Sequence, residues 1–277
     1  MLFEGGITRL VSLSNTLEVQ LTVLANFSNQ YLKLVEPYSS EIARMRAEIR
    51  QAMEDGSGGT YEPTPPWPLE VAEDLAEMEW IINSLSVTTV LLSSFVMESY
   101  INSLAHYVED RPDLLGLTGK AKEYAAGLLF KDIEKSSTRE KWDKVASLSK
   151  GEGFEKGRVP FQDMNIVFNF RNDWVHDKLI TFSDDSSDDS SDEEAWPAQD
   201  RLKKRYGEKL PPFPGFANLR HGLFAAQTYW GMALEVLKLL EISREDFHRH
   251  YDLSPWGKYP ENELEQLSDD IHKALGG

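Results

Sequence analysis

Arg171-Asn172-Asp173-Trp174-Val175-His176 brings a permanently charged guanidinium, an amide and an imidazole into one hexapeptide. Those are the groups needed to cleave RNA without a metal. An imidazole of ordinary pKa, about 6.5, takes a proton from a ribose 2′-hydroxyl or returns one to a leaving 5′-oxygen at neutral pH. A guanidinium offers a planar fork of donors to the non-bridging phosphate oxygens as negative charge builds on them. The reaction would leave a 2′,3′-cyclic phosphate and calls for no metal or cofactor. Without that chemistry, the same spacing describes an exposed charge and a satisfied imidazole.

The element that must carry these residues is a helix. Phe161 to Phe170 lacks Gly and Pro and mixes apolar with polar positions as an amphipathic helix does. At about 100° per residue, Phe168, Val175 and Leu179 share one stripe, widened by Val167, Phe170 and Trp174, while Asp173 and Asp177 point to solvent. Asn165, Asn169, Asn172 and His176 recur at steps of four, three and four, stacking three amides and an imidazole along the stripe's edge. Arg171 flanks the stripe from the other side. A spacing of five leaves Arg171 and His176 roughly 140° apart. They can converge on one phosphate if the helix kinks, if Arg171 reaches around, or if a second copy supplies the complement.

Arg-Asn, then three residues, then His, late in a helical chain, resembles the Arg-X4-6-His signature of the HEPN superfamily. A polar residue, often Asn, directly follows the Arg in that family. The resemblance implies that Arg171 and His176 are catalytic and that Asn172 supports them. It implies a small helical bundle whose two copies dimerise with their motifs facing each other. It also implies a metal-independent endoribonuclease of toxin-antitoxin, abortive-infection or CRISPR-linked defence. The stretch from Leu91 to Asn102 looks like the family's long first helix, which often carries an acidic residue in an apolar setting. The likeness covers roughly Leu69 to Leu240, and only the short motif is specific.

The bulk numbers fit a globular chain. Its 277 residues, 41% hydrophobic and 11% aromatic, can fill a core. With no cysteine there is no disulfide, thiol nucleophile or cysteine metal site, which suits a reducing cytosol. The first residues lack the basic and apolar regions of a signal peptide, and the expected location is cytoplasmic. The most apolar window, Ile81 to Leu104, is interrupted by Asn83, Glu98 and Asn102, so it reads as a buried bundle helix instead of a membrane span. A formal charge of -17 opposes generic attraction to nucleic acid. Seven of those charges sit between Asp184 and Glu194, leaving about -10 on the remainder, so RNA contact requires a local basic groove.

Leu10, Leu13, Leu17, Leu21, Leu24, Phe27, Tyr31 and Leu34 step by three or four, predicting a helix that ends near Glu36-Pro37. Ile42, Met45, Ile49 and Met53 predict a second. The Gly- and Pro-rich stretch from Asp55 to Pro68 reads as a linker. Further helices are expected from Leu69 to about Val108, Thr118 to Phe130, Thr138 to Leu148 and Ala217 to Leu240. Ser183 to Glu194 is low-complexity Ser and acid, read as a disordered insert. That insert begins soon after His176 and could compete with RNA for Arg171 and the Arg201 to Arg205 cluster; the plainer reading is a solubilising loop. Arg220 and His221 are adjacent and diverge, and His248 and His250 point apart, so neither pair suggests a site.

The expected architecture is all-α: an HEPN-like bundle over 69–240 with the acidic insert at 183–194, an N-terminal helical segment and linker over 1–68, and a C-terminal helical extension over 241–277. The expected function is a metal-independent endoribonuclease with Arg171 as phosphate clamp, His176 as general acid or base and Asn172 in support. Asn169 and Asn165 would contact the substrate. The expected partners are RNA, a second copy, and an antitoxin or regulatory protein, with no membrane. The alternative is a non-catalytic HEPN-like interaction module, in which Arg171 and the Asn row hydrogen-bond across an interface.

Overall fold

Leucines at three- and four-residue steps give the first helix, α1 (Leu2–Val35), a continuous apolar edge on which Leu10, Leu17, Leu21, Leu24, Tyr31 and Val35 are buried. Pro37 stops it within a single 3-10 turn, Glu36–Tyr38, and the chain resumes as α2 (Ser39–Glu54), of which Ile42 is buried. The computed structural model describes residues 2–55, 66–115, 127, 131–148, 153–175, 209–211, 217–251, 253 and 261–275.

The central element is α3 (Leu69–Asp110), buried at intervals from Leu75 to Val108 and ended by Arg111 and the 3-10 turn Pro112–Leu115. Its neighbours are α1 and α6 (Leu219–Leu239), which pack along it more extensively than any other described pair. Small hydroxyl residues make that approach possible. Thr89 Oγ1 donates to the Leu85 carbonyl at 2.7 Å and Ser93 Oγ to the Thr89 carbonyl at 2.8 Å, so these buried groups are satisfied within their own helix. Closest approach comes at Gly222 of α6, where an added Cβ would stand 2.9 Å from Leu24 Cδ2 and 3.3 Å from Thr89 Cβ. By length and composition α3 could cross a membrane, and half of its most apolar window is buried within the fold.

The remaining helices close the bundle: α4 (Thr138–Ala146), α5 (Phe161–Val175), α7 (Arg244–Tyr251) and α8 (Glu261–Ala274). An aromatic knot fixes the lower half of α3. Tyr100 stacks on Trp142 of α4 at 6.0 Å, meets Phe247 of α7 at 5.1 Å and meets Tyr229 of α6 edge-on at 5.8 Å. At the other end α8 completes a second cluster in which Leu267 and Ala274 join Leu24, Tyr31, Ile42, Leu75 and Leu219. Residues of α1 belong to both clusters, so the N-terminal helix shares its core with the rest of the bundle.

The eight described helices include no strand beside them, and the fold is all-α. Helix ends expected at Pro37 and Arg111-Pro112 fall within a residue or two of those positions. Most of the helix expected over Thr118 to Phe130 and most of the Gly/Pro linker lie outside the described residues. The Ser183 to Glu194 insert and the Arg201 to Arg205 cluster lie outside them entirely.

Candidate functional site

The helix that carries the motif starts where Pro160 ends the preceding loop; the Met164 amide donates to the Pro160 carbonyl at 3.0 Å. Asp163 in the first turn favours the positive helix end and accepts from Lys209 Nζ at 2.5 Å. Packing between α3 and α6 buries Phe161, Met164, Val167, Phe168 and Phe170. The helix is described as far as Val175, so Arg171, Asn172, Asn169 and Asn165 are placed, while His176, Asp177 and Leu179 lie outside the described residues.

Three expectations about this helix are corrected. Asp173, expected in solvent, is buried at 6% exposure, whereas Val175, expected on the apolar stripe, is 49% exposed. Arg171 does not flank the buried face but lies within it, roughly 40° or less from Val167 and Met164. The expectation assumed one packed face; contact with both α3 and α6 widens the covered arc and rotates its centre.

A guanidinium in that position needs a polar niche, and α3 supplies it. Arg171 stacks its guanidinium over the Phe95 ring at 5.2 Å and lies 3.8 Å from Glu98 Oε2. Its Nη1 donates to Asn172 Oδ1 at 3.1 Å. The side chain of Arg171 is 24% exposed and that of Glu98 37%, so the pair is wet on one side. On the dry side Arg171 Nε is buried and has no hydrogen-bond partner among the described residues. A dry, unsatisfied donor is uncommon in a folded chain and costs about 1–3 kcal/mol.

The amide row runs down the neighbouring edge of α5. Asn165, Asn169 and Asn172 are all half-buried. Asn169 Oδ1 accepts from Arg139 Nη2 of α4 at 2.6 Å, and the same nitrogen lies 3.3 Å from the Asn165 carbonyl. Two residues on from Arg139, Lys141 Nζ donates to Asn102 Oδ1 on α3 at 2.9 Å, and Asn102 stands one helical turn beyond Glu98. The start of α4 is held by a capping box in which Ser137 and Glu140 satisfy each other's backbone amides. Those bonds to Ser137 hold the Glu140 carboxyl below its usual range.

Arg139, Lys141, Phe95 and Asn102 are therefore part of the candidate site although sequence reasoning did not single them out for it. Glu98 had been noted only as an acid in an apolar helix. Their sole sequence signal was local: two cations beside a capping box, and an acid and an amide four apart on α3. The pairings span 30 and 39 residues, and no local periodicity encodes them.

Two other histidines, His221 and His248, play structural parts. His221 accepts the Asn218 N–H at 2.9 Å at the start of α6, and burial, with Arg220 nearby, lowers its pKa to about 4. Burial, then Arg244, does the same to His248, also to about 4, while His250 points outward. A cavity of about 610 Å³ lies between α1, α3, α6 and α8, lined by Tyr31, Glu79 and His221 among others. None of the placed motif residues lines it. Compared with family models, with curated proteins and with solved structures, the chain matches none.

Proposed function

We propose that this chain is a metal-independent endoribonuclease of the HEPN type, acting as a homodimer in cytoplasmic defence or toxin-antitoxin growth arrest. One observation carries the reading. Arg171 is held half-buried on Phe95 between Glu98 and Asn172, near the end of α5 and five residues before His176. A guanidinium so confined is oriented before any ligand arrives, which is what transition-state electrostatics requires.

In this reading the ribose 2′-oxygen attacks its own phosphate while His176 accepts the hydroxyl proton. The 5′-oxygen leaves and takes a proton, giving a 2′,3′-cyclic phosphate and a 5′-hydroxyl. Arg171 neutralises charge on the non-bridging oxygens, Asn172 holds the guanidinium, and Asn169 and Asn165 contact the strand. Arg171 reaches Phe95 and Glu98 of α3 and, within the amide row, Asn172 alone; in this reading a second motif across a two-fold axis completes the groups around the phosphate. RNA and a second copy are the proposed partners, with an antitoxin or regulatory protein as a further one.

The test is total RNA incubated with the pure chain in EDTA. Wild type should cleave and His176→Ala should not, with unchanged thermal unfolding; equal cleavage by the two overturns the assignment. Light scattering at micromolar concentration should give a dimer, and a fully active monomer would refute the two-chain site.

A second reading, the non-catalytic interaction module, draws on the partners that Arg171, Asn169 and Asn172 already have within the chain. Polar rows that only support an interface are mutually satisfied. Absence of cleavage in EDTA by a dimer that dissociates on Asn169→Ala would favour it.

A further inference from the structure

The cavity of about 610 Å³ between α1, α3, α6 and α8 is of the size that encloses small ligands, and opposite charges line it without meeting. Arg220, in the first turn of α6, and Asp269, on α8, are both exposed, and neither has an ion-pair partner among the described residues. Glu79, the other carboxylate of the described lining, is engaged by Tyr31, whose Oη donates to Oε1 at 2.6 Å. Burial, then this bond, raises the Tyr31 pKa, so the phenol keeps its proton for Glu79 and its oxygen serves a ligand as an acceptor. His221 is fixed in the complementary sense. Its Nδ1 accepts from the Asn218 amide, so the neutral ring carries its proton on Nε2, across the ring, where no described residue receives it. Ser28, fully buried in the same wall, has an Oγ without a hydrogen-bond partner among the described residues, where a wall shaped for stability alone would carry alanine.

We propose that this cavity binds a short linear peptide with both termini free, its carboxylate at Arg220 and the positive start of α6, its ammonium at Asp269, and its backbone amides at the His221 Nε2–H donor and the Tyr31 oxygen. Two exposed charges that do not neutralise each other call for a ligand that carries both signs at a distance. A peptide does so, whereas a single amino acid bears both on one carbon. The buried Ile82 and Leu219 and the half-buried Ile271 of the same lining suit aliphatic side chains. A nucleotide would bring net negative charge to a described lining in which one guanidinium stands against two carboxylates, on a molecule of net charge -17. The walls are set before a ligand arrives. Asn83 Oδ1 of α3 accepts from the Ala217 amide at 2.6 Å just before α6, and Gln227 Nε2 of α6 donates to Glu265 Oε1 of α8 at 2.7 Å.

The experiment titrates the full chain with the tripeptide Leu-Ala-Leu, with its N-acetyl form and with its C-terminal amide, and reads affinity by calorimetry. Wild type should bind the free tripeptide about tenfold more tightly than either blocked form, the share of one hydrogen bond to a charged group. Arg220→Gln should bind the free tripeptide about tenfold more weakly than wild type does and should no longer prefer it to the amide, while still preferring it to the acetylated form. Asp269→Asn should show the converse. Both positions are exposed, so thermal unfolding of the two variants without peptide should match wild type. Lys238→Gln removes an exposed cation from the far end of α6 and should leave all three affinities unchanged. The matched pattern of lost preferences would establish the site. No binding of the free tripeptide, equal affinity for free and blocked forms, loss of the same preference in both variants, an equal loss in Lys238→Gln, or tighter binding of adenosine monophosphate than of the tripeptide would each overturn it. None of these outcomes depends on whether the chain cleaves RNA.

Discussion

Arg171 occupies a place on α5 that side-chain periodicity reserves for apolar residues, between Met164 and Val167 on one side and Phe95 of α3 on the other. Its Nε is dry and has no hydrogen-bond partner among the described residues, so the residue is expensive to keep. A side chain retained for stability alone would not be left so. Arg171→Met fills the same space without the stranded donor, and should leave unfolding free energy unchanged or raise it by about 1 kcal/mol while abolishing RNA cleavage. A loss of several kcal/mol in chemical denaturation would instead make Arg171 a structural strut. Arg171→Lys should also lose most activity, since an ammonium cannot present the two parallel donors. At this scale the row from Asn165 through Asn169 to Asn172 was legible, because neighbours on one helix obey one period. The burial of Asp173 and Arg171 was not, because it depends on which other helices cover α5.

Helix ends were the legible part of the elements, since Pro37, Pro112 and the Ser137 cap act on their own neighbourhood. Pairings between helices were not. Nothing local announces that α4 will bridge Asn102 on α3 and Asn169 on α5, yet the capping box that starts α4 aims both of its cations. Ser137→Ala should cost about 1 kcal/mol of stability by denaturant titration. An unchanged midpoint would mean that the links from Arg139 to Asn169 and from Lys141 to Asn102 hold the first turn of α4 without its cap. The crossing of α6 over α1 and α3 is set by the missing side chain at Gly222, opposite Leu24 and Thr89. Gly222→Leu should destabilise by about 1–3 kcal/mol despite its better helix propensity, because α1, α3 and α6 must separate to admit it. An unchanged midpoint in the same titration would show that the three helices have room to spare.

The whole molecule answers acid through two opposed effects. With a net charge of -17 and a pI near 4.8, lowering the pH relieves self-repulsion and so favours the compact state. Two imidazoles act the other way. His221 and His248 have pKa values lowered to about 4, chiefly by burial, whereas the unfolded chain protonates them near 6.5. Between those values the unfolded state binds more protons, so stability falls as pH drops through that window and levels off below it. A full shift of that size would be worth about 3 kcal/mol, and residual contact with solvent leaves each of the two rings contributing less than that. Salt decides which effect is seen, because exposed charges are screened over roughly 8 Å at physiological ionic strength and a buried ring is not. At high salt, unfolding free energy should therefore decline from pH 6.5 toward 5, above the range in which Glu140 and Glu245, both held low by bonds near their helix starts, begin to take up protons. Replacing both rings with His221→Gln and His248→Gln should flatten that decline, and Gln at position 221 can keep the cap on the Asn218 amide. If the double variant still loses stability across the same window, the acid response belongs to other groups and the two histidines are not its source.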